Sequence, residues 1–99
     1  MTKYKMKNGL TVYKMTAEEV IKTFPGGLGR CDFCNIQTKE GYYIPILNRY
    51  YCNSCFNAWK LRSRNYPEDA WFEKEMIEAL EFRICLIGMR FDIGGTLGC

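Results

Sequence analysis

Two pairs of cysteines with the same internal spacing constrain this 99-residue chain more than any other feature of its sequence. Each pair has the form Cys-x-x-Cys, and seventeen residues separate the two pairs. The four residues are Cys31, Cys34, Cys52 and Cys55. A Cys-x-x-Cys turn presents two thiolates to one point, and two such turns complete a tetrahedral zinc site. The pattern therefore predicts one structural zinc ion bound by all four cysteines.

Two other uses of these cysteines stay open from the sequence alone. An iron–sulfur cluster also takes four thiolates, and disulfides form in oxidising compartments. The N-terminus is basic but lacks the apolar segment of a secretory signal, and the longest aliphatic or thiol run, 84–87, is too short to span a bilayer. We therefore expect a cytoplasmic protein without a membrane partner, in which paired cysteines hold metal.

The sequence gives no sign of catalysis. A zinc ion with four thiolate ligands has no open position for water or substrate, and the chain contains no histidine, the commonest general base. We expect neither an enzyme nor a small-molecule substrate. Two cysteines lie outside the pairs. Cys85 is predicted to be a core thiol because it lies in an apolar run, and Cys99 is predicted to be a free terminal thiol.

The length and pattern predict a small single α+β domain over residues 1–99. Its first part, 1–29, should contain a short strand over 8–15, because an Asn-Gly turn signal precedes alternating residues. A Thr-Ala-Glu-Glu capping box at 16–19 should then start a short helix over 17–24.

The second part of the chain, 30–64, contains the four cysteines. Two short strands over 42–47 and 49–51 are predicted to form a β-hairpin. Pro45 lacks a backbone N–H, so the first of these strands should lie at a sheet edge or contain a bulge. A helix should begin at the second cysteine pair and continue to about residue 64.

The third part, 65–93, is predicted to form an amphipathic helix. Its apolar residues recur every three or four positions, as Phe72, Met76, Leu80, Ile84 and Ile87 do. Beyond Arg83 the sequence does not distinguish more helix from a short strand, because Gly88 and β-branched residues follow. The glycine-rich residues 94–99 are predicted to be a flexible tail.

The segment 30–61 resembles the treble-clef class of zinc fingers, which includes the GATA, LIM and RING-like modules. Residues 31–34 match the turn known as a zinc knuckle, and residues 50–61 match the strand that runs into the helix of such fingers. The seventeen-residue gap and the string Tyr-x-Cys-Asn-x-Cys look most like a GATA finger. The resemblance implies a knuckle, a hairpin and a helix around the zinc ion. The whole chain also resembles small zinc-finger proteins of bacteria, their phages and mobile elements.

Charge is distributed unevenly, and this suggests a protein-binding role. Residues 65–99 carry seven acidic side chains against three basic ones. The first hypothesis is therefore a protein-binding adaptor or inhibitor that uses Trp71 and Phe72 as contacts. Such an inhibitor, encoded by a phage or mobile element, would act on a nucleic-acid enzyme. The alternative is that both aromatic residues are core and the acids only solvate the helix.

The second hypothesis is a nucleic-acid-binding finger with a regulatory role. Residues 1–64 carry eleven basic side chains against four acidic ones, and cations supply the sequence-independent part of such binding. The candidate contacts are Arg49, Lys60, Arg62 and Arg64. Ordinary surface charge is the alternative explanation. Because an acidic helix follows the finger where a GATA finger has a basic tail, we favour the protein-binding hypothesis.

Overall fold

A computed structural model describes residues 1–24 and 26–97 of the chain. They form one α+β domain with a five-stranded sheet and three α-helices. The strands are β1 (Thr2–Met6), β2 (Thr11–Thr16), β3 (Glu40–Ile44), β4 (Arg49–Cys52) and β5 (Asp92–Leu97). The helices are α1 (Ala17–Thr23), α2 (Asn53–Arg62) and α3 (Ala70–Leu86), and a 3₁₀ turn, Pro67–Asp69, precedes α3.

The sheet has the order β4-β3-β2-β1-β5. Neighbouring strands are antiparallel except for β1 and β5, which are parallel and pair Thr2 with Asp92. Parallel pairing needs a long crossover connection, and the whole of the chain from β2 to α3 provides it. The sheet thus joins the two ends of the described chain.

The Asn8-Gly9 signal marks a turn rather than the start of a strand. The Asn8 side chain accepts a hydrogen bond from the Leu10 N–H at 3.1 Å, and Gly9 has a φ of 92°, which glycine adopts without strain. The predicted strand over 8–15 is therefore β2, which begins only at Thr11. The strand before the turn, β1, was not predicted, although its lysines alternate with Tyr4 and Met6 as a half-buried strand requires.

The capping box is confirmed. Thr16 accepts a hydrogen bond from the Glu19 N–H at 3.2 Å, and the Glu19 carboxylate accepts one from the Thr16 N–H at 2.9 Å. These bonds satisfy backbone donors that a helix start otherwise leaves free. The predicted helix over 17–24 is α1, and it ends at Thr23.

The hairpin predicted around Asn48 is present as β3 and β4, but the expectation for Pro45 is wrong. The first strand ends at Ile44, and Pro45 begins the connecting turn, in which the Asn48 N–H donates to the Pro45 carbonyl at 3.0 Å. Because Pro45 lies outside the ladder, β3 occupies an interior position between β4 and β2 without a bulge.

The C-terminal part of the prediction needs correction. Helix α3 ends at Leu86, because Gly88 has a φ of 74° and the Met89 N–H turns back to the Ile84 carbonyl at 3.0 Å, a glycine-terminated helix end. The residues predicted as a flexible tail from 94 onward continue a strand as far as Leu97. A Cβ at Gly94 would overlap the Tyr4 ring, so glycine is needed at this position because the ring packs against the backbone. Residues 98 and 99 lie outside the described residues, and with them the prediction for Cys99.

The sheet separates two hydrophobic clusters. One lies on the α2 side and contains Met6, Leu10, Val12, Cys31, Ile44, Tyr51, Cys52, Phe56 and Trp59. The other lies on the side of α1 and α3 and contains Tyr13, Met15, Val20, Tyr43, Tyr50, Leu80 and Ile84. Adjacent residues of one strand, such as Val12 and Tyr13, enter opposite clusters because side chains alternate across a strand.

Helix α3 buries only part of its predicted stripe. Leu80 and Ile84 are buried, whereas Ile87 lies past the helix and is 45% exposed. Cys85, predicted to be a core thiol, is exposed, because the neighbouring Ile84 takes the inward position. None of the helices in the described ranges has the length and apolarity that crossing a bilayer requires.

Candidate metal centre

The first cysteine pair lies in a tight turn that we call the knuckle, residues 30–37. The Asn35 N–H donates to the Cys31 carbonyl at 2.9 Å, and the Cys31 N–H donates to the Ile36 carbonyl at 3.1 Å. Asn35 has a φ of 60°, a conformation that asparagine tolerates better than most residues. The Phe33 N–H lies 3.4 Å from the Cys31 sulfur. The turn therefore brings both sulfur atoms to one side.

The second pair lies where a strand changes into a helix. Cys52 is the last residue of β4, and Cys55 lies in the first turn of α2. Cys52 keeps an extended backbone, with a ψ of 168°, so the chain turns sharply at this point. Phe56 and Trp59 in α2 are 1% and 7% exposed and hold the helix against the sheet. Burial of α2 thus sets the position of both sulfur atoms.

Two hydrogen bonds attach the knuckle to the edge of the sheet. The Asp32 N–H donates to the Tyr50 carbonyl at 2.7 Å, and the Tyr50 N–H donates to the Asp32 carboxylate at 2.8 Å. Tyr50 is two residues before Cys52 on the same strand. Because these bonds join the two halves of the site directly, the cysteine pairs face each other through backbone geometry.

The four sulfur atoms form one cluster. They all lie within 4.8 Å of one another, and the Cys34 and Cys52 sulfurs are 3.8 Å apart. Four sulfurs at about 2.3 Å from a central ion in a tetrahedron are about 3.8 Å from one another. All four cysteines are free thiols, so the disulfide alternative is wrong. The cluster is positioned to bind a metal ion.

The environment of the sulfurs favours ionisation of Cys31 over Cys55. Burial alone would raise the pKa of Cys31, but backbone N–H groups of the two cysteine turns more than offset it and lower that pKa to about 6. Burial, together with the neighbouring thiols, raises the pKa of Cys55 to about 12. Thiolates this close repel one another, and a cation at their centre removes that repulsion.

Among the described residues, no fifth ligand stands beside the four cysteines. The chain contains no histidine, and within residues 1–24 and 26–97 the cysteines form the single group of three or more potential ligands that could share an ion. Cys85 is on α3 and does not belong to it. An ion held by four thiolates has no position for a reacting molecule.

The structure divides the candidate nucleic-acid contacts between two places. Arg62 and Arg64 line a shallow depression at the end of α2 together with Trp59 and Tyr66. Arg49 instead lines a cleft on the other side of the β3–β4 hairpin. Lys60 is half-buried, and its ammonium group lies 5.7 Å from the centre of the Phe56 ring. The four side chains therefore do not line one common depression.

The candidate protein contacts differ in exposure. Trp71 is 62% exposed, whereas Phe72 is half-buried, and their rings meet edge to face with centres 5.8 Å apart. The interpretation of Trp71 as a core residue is therefore wrong. Sequence reasoning missed Phe82 and Leu86, which are 65% and 69% exposed. Their spacing of eleven and fifteen residues from Trp71, close to whole numbers of helical turns, is a signal that could have identified them.

Comparisons with protein-family models, with curated proteins and with solved structures found no match for this chain. Arguments about its function therefore rest on the geometry of the described residues.

Proposed function

We propose that this chain is a zinc-binding interaction module without catalytic activity, and that it binds another protein through α3. One zinc ion, held by the four clustered cysteines, has a structural role. Zinc suits the site because it favours four thiolates in a tetrahedron. A cluster of several iron atoms would hold the sulfurs farther apart than a single ion does. Reduced thiols of this kind persist in a compartment such as the cytoplasm.

The arrangement around the cysteines supports a treble-clef finger. The knuckle provides the first pair, β3 and β4 form a hairpin, and α2 begins between the two cysteines of the second pair. This is the order of elements that the resemblance to GATA and LIM modules implies. The finger here is built into a larger sheet, since β3 also pairs with β2. Zinc would therefore stabilise a domain that presents other surfaces.

The observation that carries the protein-binding proposal is the outer face of α3, defined by Trp71, Phe82 and Leu86. Each of these side chains is more than 60% exposed. They lie opposite the buried Leu80 and Ile84, because the α-helix has 3.6 residues per turn. Exposed apolar patches mark interaction sites, and tryptophan is enriched among the residues that contribute most to protein interfaces.

The charges on the outer face indicate what its partner is like. Glu75 and Glu78 lie between the apolar residues of the outer face, and both are exposed. The Glu78 carboxylate lies 4.0 Å from the Lys74 ammonium group and forms an exposed ion pair with it. Glu75 forms no ion pair within the described residues. We therefore propose a partner surface that is apolar at its centre and basic around it. The nucleic-acid-binding surface of an enzyme is basic, so an inhibitor encoded by a phage or mobile element fits the charge of this face.

A pull-down from nuclease-treated host lysate tests this proposal. The wild-type chain is compared with the double variant Trp71→Ala/Phe82→Ala and with Leu61→Ala. Leu61 is a matched control, since it is 79% exposed on α2 and outside the outer face. We expect a protein retained by the wild type and by Leu61→Ala to be lost with the double variant. Retention by all three chains contradicts the proposed face.

The second candidate function, nucleic-acid binding by the finger, is favoured by the depression at the end of α2. Arg62 and Arg64 stand there beside Tyr66, which is 49% exposed and could stack on an unpaired base. Reversal of the charges of Lys60, Arg62 and Arg64 should then abolish a salt-sensitive gel shift. A gel shift that survives this reversal, or no shift of single- or double-stranded probes at all, excludes this function.

A further inference from the structure

A cleft of about 440 Å³ lies between two adjoining segments of the chain and the end of the β3–β4 hairpin. Its walls are the glycine-rich loop 26–30, the knuckle, and the end of the β3–β4 hairpin at Asn48 and Arg49. Its floor contains Phe24 and Tyr43. Binding sites for small molecules typically have volumes of about 300–1,000 Å³. The cleft is distinct from the outer face of α3 and from the depression that contains Arg62 and Arg64.

Unpaired positive charge surrounds this cleft. Arg30 and Arg49 come from different segments of the lining, and neither has a carboxylate within 4.0 Å among the residues that the structure describes. The one acidic side chain in the lining, Asp32, already accepts a hydrogen bond from the Tyr50 N–H at 2.8 Å. A third guanidinium, that of Arg83, lies 6.0 Å from the centre of the Phe24 ring. The cleft therefore has a net positive charge.

Neutral donors lie beside these arginines. The Tyr43 hydroxyl donates to the Asn48 side-chain oxygen at 2.7 Å, and this bond leaves the Asn48 amide nitrogen free to donate. Asn35 of the knuckle also lines the cleft. Guanidinium groups bind phosphate through paired hydrogen bonds. Two guanidinium groups and neighbouring amides can donate hydrogen bonds to the oxygens of a phosphate group.

The apolar part of the lining calls for more than inorganic phosphate. Phe24 and Tyr43 pack with ring centres 4.8 Å apart, and Leu28 of the loop is 75% exposed beside them. Leu28 and Phe24 line the same cleft as Arg30 and Arg49, so apolar and cationic side chains adjoin one cavity. Sites for single-stranded nucleic acid combine aromatic surfaces with cations in this way.

We propose that this cleft binds a nucleoside phosphate, with Arg30 and Arg49 holding the phosphate and Phe24 and Leu28 contacting the base. The ligand is either a free nucleotide or one nucleotide of a single-stranded nucleic acid. The cleft uses none of the residues of the outer face, so the inference is independent of the proposed protein partner. It gives the module a second ligand.

Isothermal titration of the zinc-loaded full chain tests the inference. The probes are adenosine 5′-monophosphate, adenosine, and a four-nucleotide DNA strand with a 5′-phosphate. We expect adenosine 5′-monophosphate to bind at least about tenfold more tightly than adenosine, since a charged hydrogen bond contributes more than about 1.4 kcal/mol. Similar affinity for nucleotide and strand indicates a free nucleotide as ligand, and much tighter binding of the strand indicates nucleic acid.

Three substitutions show where the probes bind. Arg30→Gln and Arg49→Gln remove one guanidinium each, and both residues are exposed, so the fold should be retained. Arg90→Gln is the matched control, an exposed arginine that does not line the cleft. We expect about tenfold weaker binding in each cleft variant and unchanged binding in Arg90→Gln. Equal loss in all three variants would indicate nonspecific charge attraction and overturn the inference, as would equal affinity for adenosine or no binding of any probe at millimolar concentration.

Discussion

Removal of the metal is the perturbation that tests most of the reasoning at once. A structural zinc ion contributes about 10–16 kcal/mol of apparent binding free energy in small fingers at neutral pH. A domain of this size has a total stability of about 5–15 kcal/mol. Two of the four ligands, Cys31 and Cys52, also belong to the hydrophobic cluster on the α2 side. Chelation should therefore unfold at least the finger, including α2.

The two tryptophans allow this unfolding to be observed locally. Trp59 of α2 is 7% exposed, so its fluorescence should shift to longer wavelength when α2 detaches. Trp71 is already 62% exposed and should change little. In a Trp71→Phe background the emission reports Trp59 alone. A thermal scan provides a second measurement. Even if chelation lowers the free energy of unfolding by only about 3 kcal/mol, the Tm of a 99-residue domain should fall by about 12 °C or more.

Single-cysteine variants separate metal loss from loss of a thiol. Cys52→Ser should behave like the chelated protein, with less than one zinc per chain, a lower Tm and a shifted Trp59 emission. Cys85→Ser is the matched control, since Cys85 is an exposed free thiol outside the cluster. It should retain zinc and the wild-type Tm. The reasoning is refuted if confirmed metal loss leaves both the Trp59 emission and the Tm unchanged.

Three further predictions follow from packing and charge. Leu80→Ala should reduce the free energy of unfolding by about 2–5 kcal/mol in denaturant titrations, because the side chain is 1% exposed, and a loss below 1 kcal/mol would contradict that packing. Gly41→Ala should lower both the zinc affinity and the stability, because the new Cβ would overlap the carbonyl oxygen of Tyr51, the residue before Cys52. Gly95→Ala is the control: a Cβ there would have no atom within 4 Å, so neither quantity should change. Burial disfavours the Glu81 carboxylate, but hydrogen bonds from Lys3 and Tyr13 outweigh this and lower its pKa. The carboxylate therefore stabilises the fold above about pH 4.5 and loses this effect as pH falls through the lowered pKa. Thermal scans from pH 6 to 3 should show a smaller decline for Glu81→Gln, and an identical decline would refute this.

The candidate metal centre could be predicted from the sequence because its signal is local. Each cysteine pair fixes its own turn, and the hairpin between the pairs is determined by residues within the same segment. The capping box of α1 and the turn at Asn8 are local signals of the same kind. At these positions the residues that make the hydrogen bonds are three positions apart or fewer.

The pairing of the two ends of the chain could not be predicted in this way. Strand β5 exists because it lies beside β1, about ninety residues earlier, and nothing within 92–97 encodes that neighbour. Its glycines suggest a loop by composition, yet Gly94 is needed where Tyr4 packs against the backbone. The exposure of Cys85 depends similarly on which side of α3 meets the sheet. Both errors concern contacts that are distant in sequence.

The position of the sheet suggests how one small domain could serve two ligands. The cysteine cluster and α2 lie on one side of the sheet, and the other side is covered by α1 and α3. Tyr43 and Tyr50 project from the hairpin of the finger into the cluster that contains Leu80 and Ile84 of α3. Under the proposed structural role, zinc fixes that hairpin, and we therefore expect it to influence the packing beneath the outer face of α3 as well. If so, chelation should weaken partner binding through Trp71 even though the metal touches none of the residues of that face.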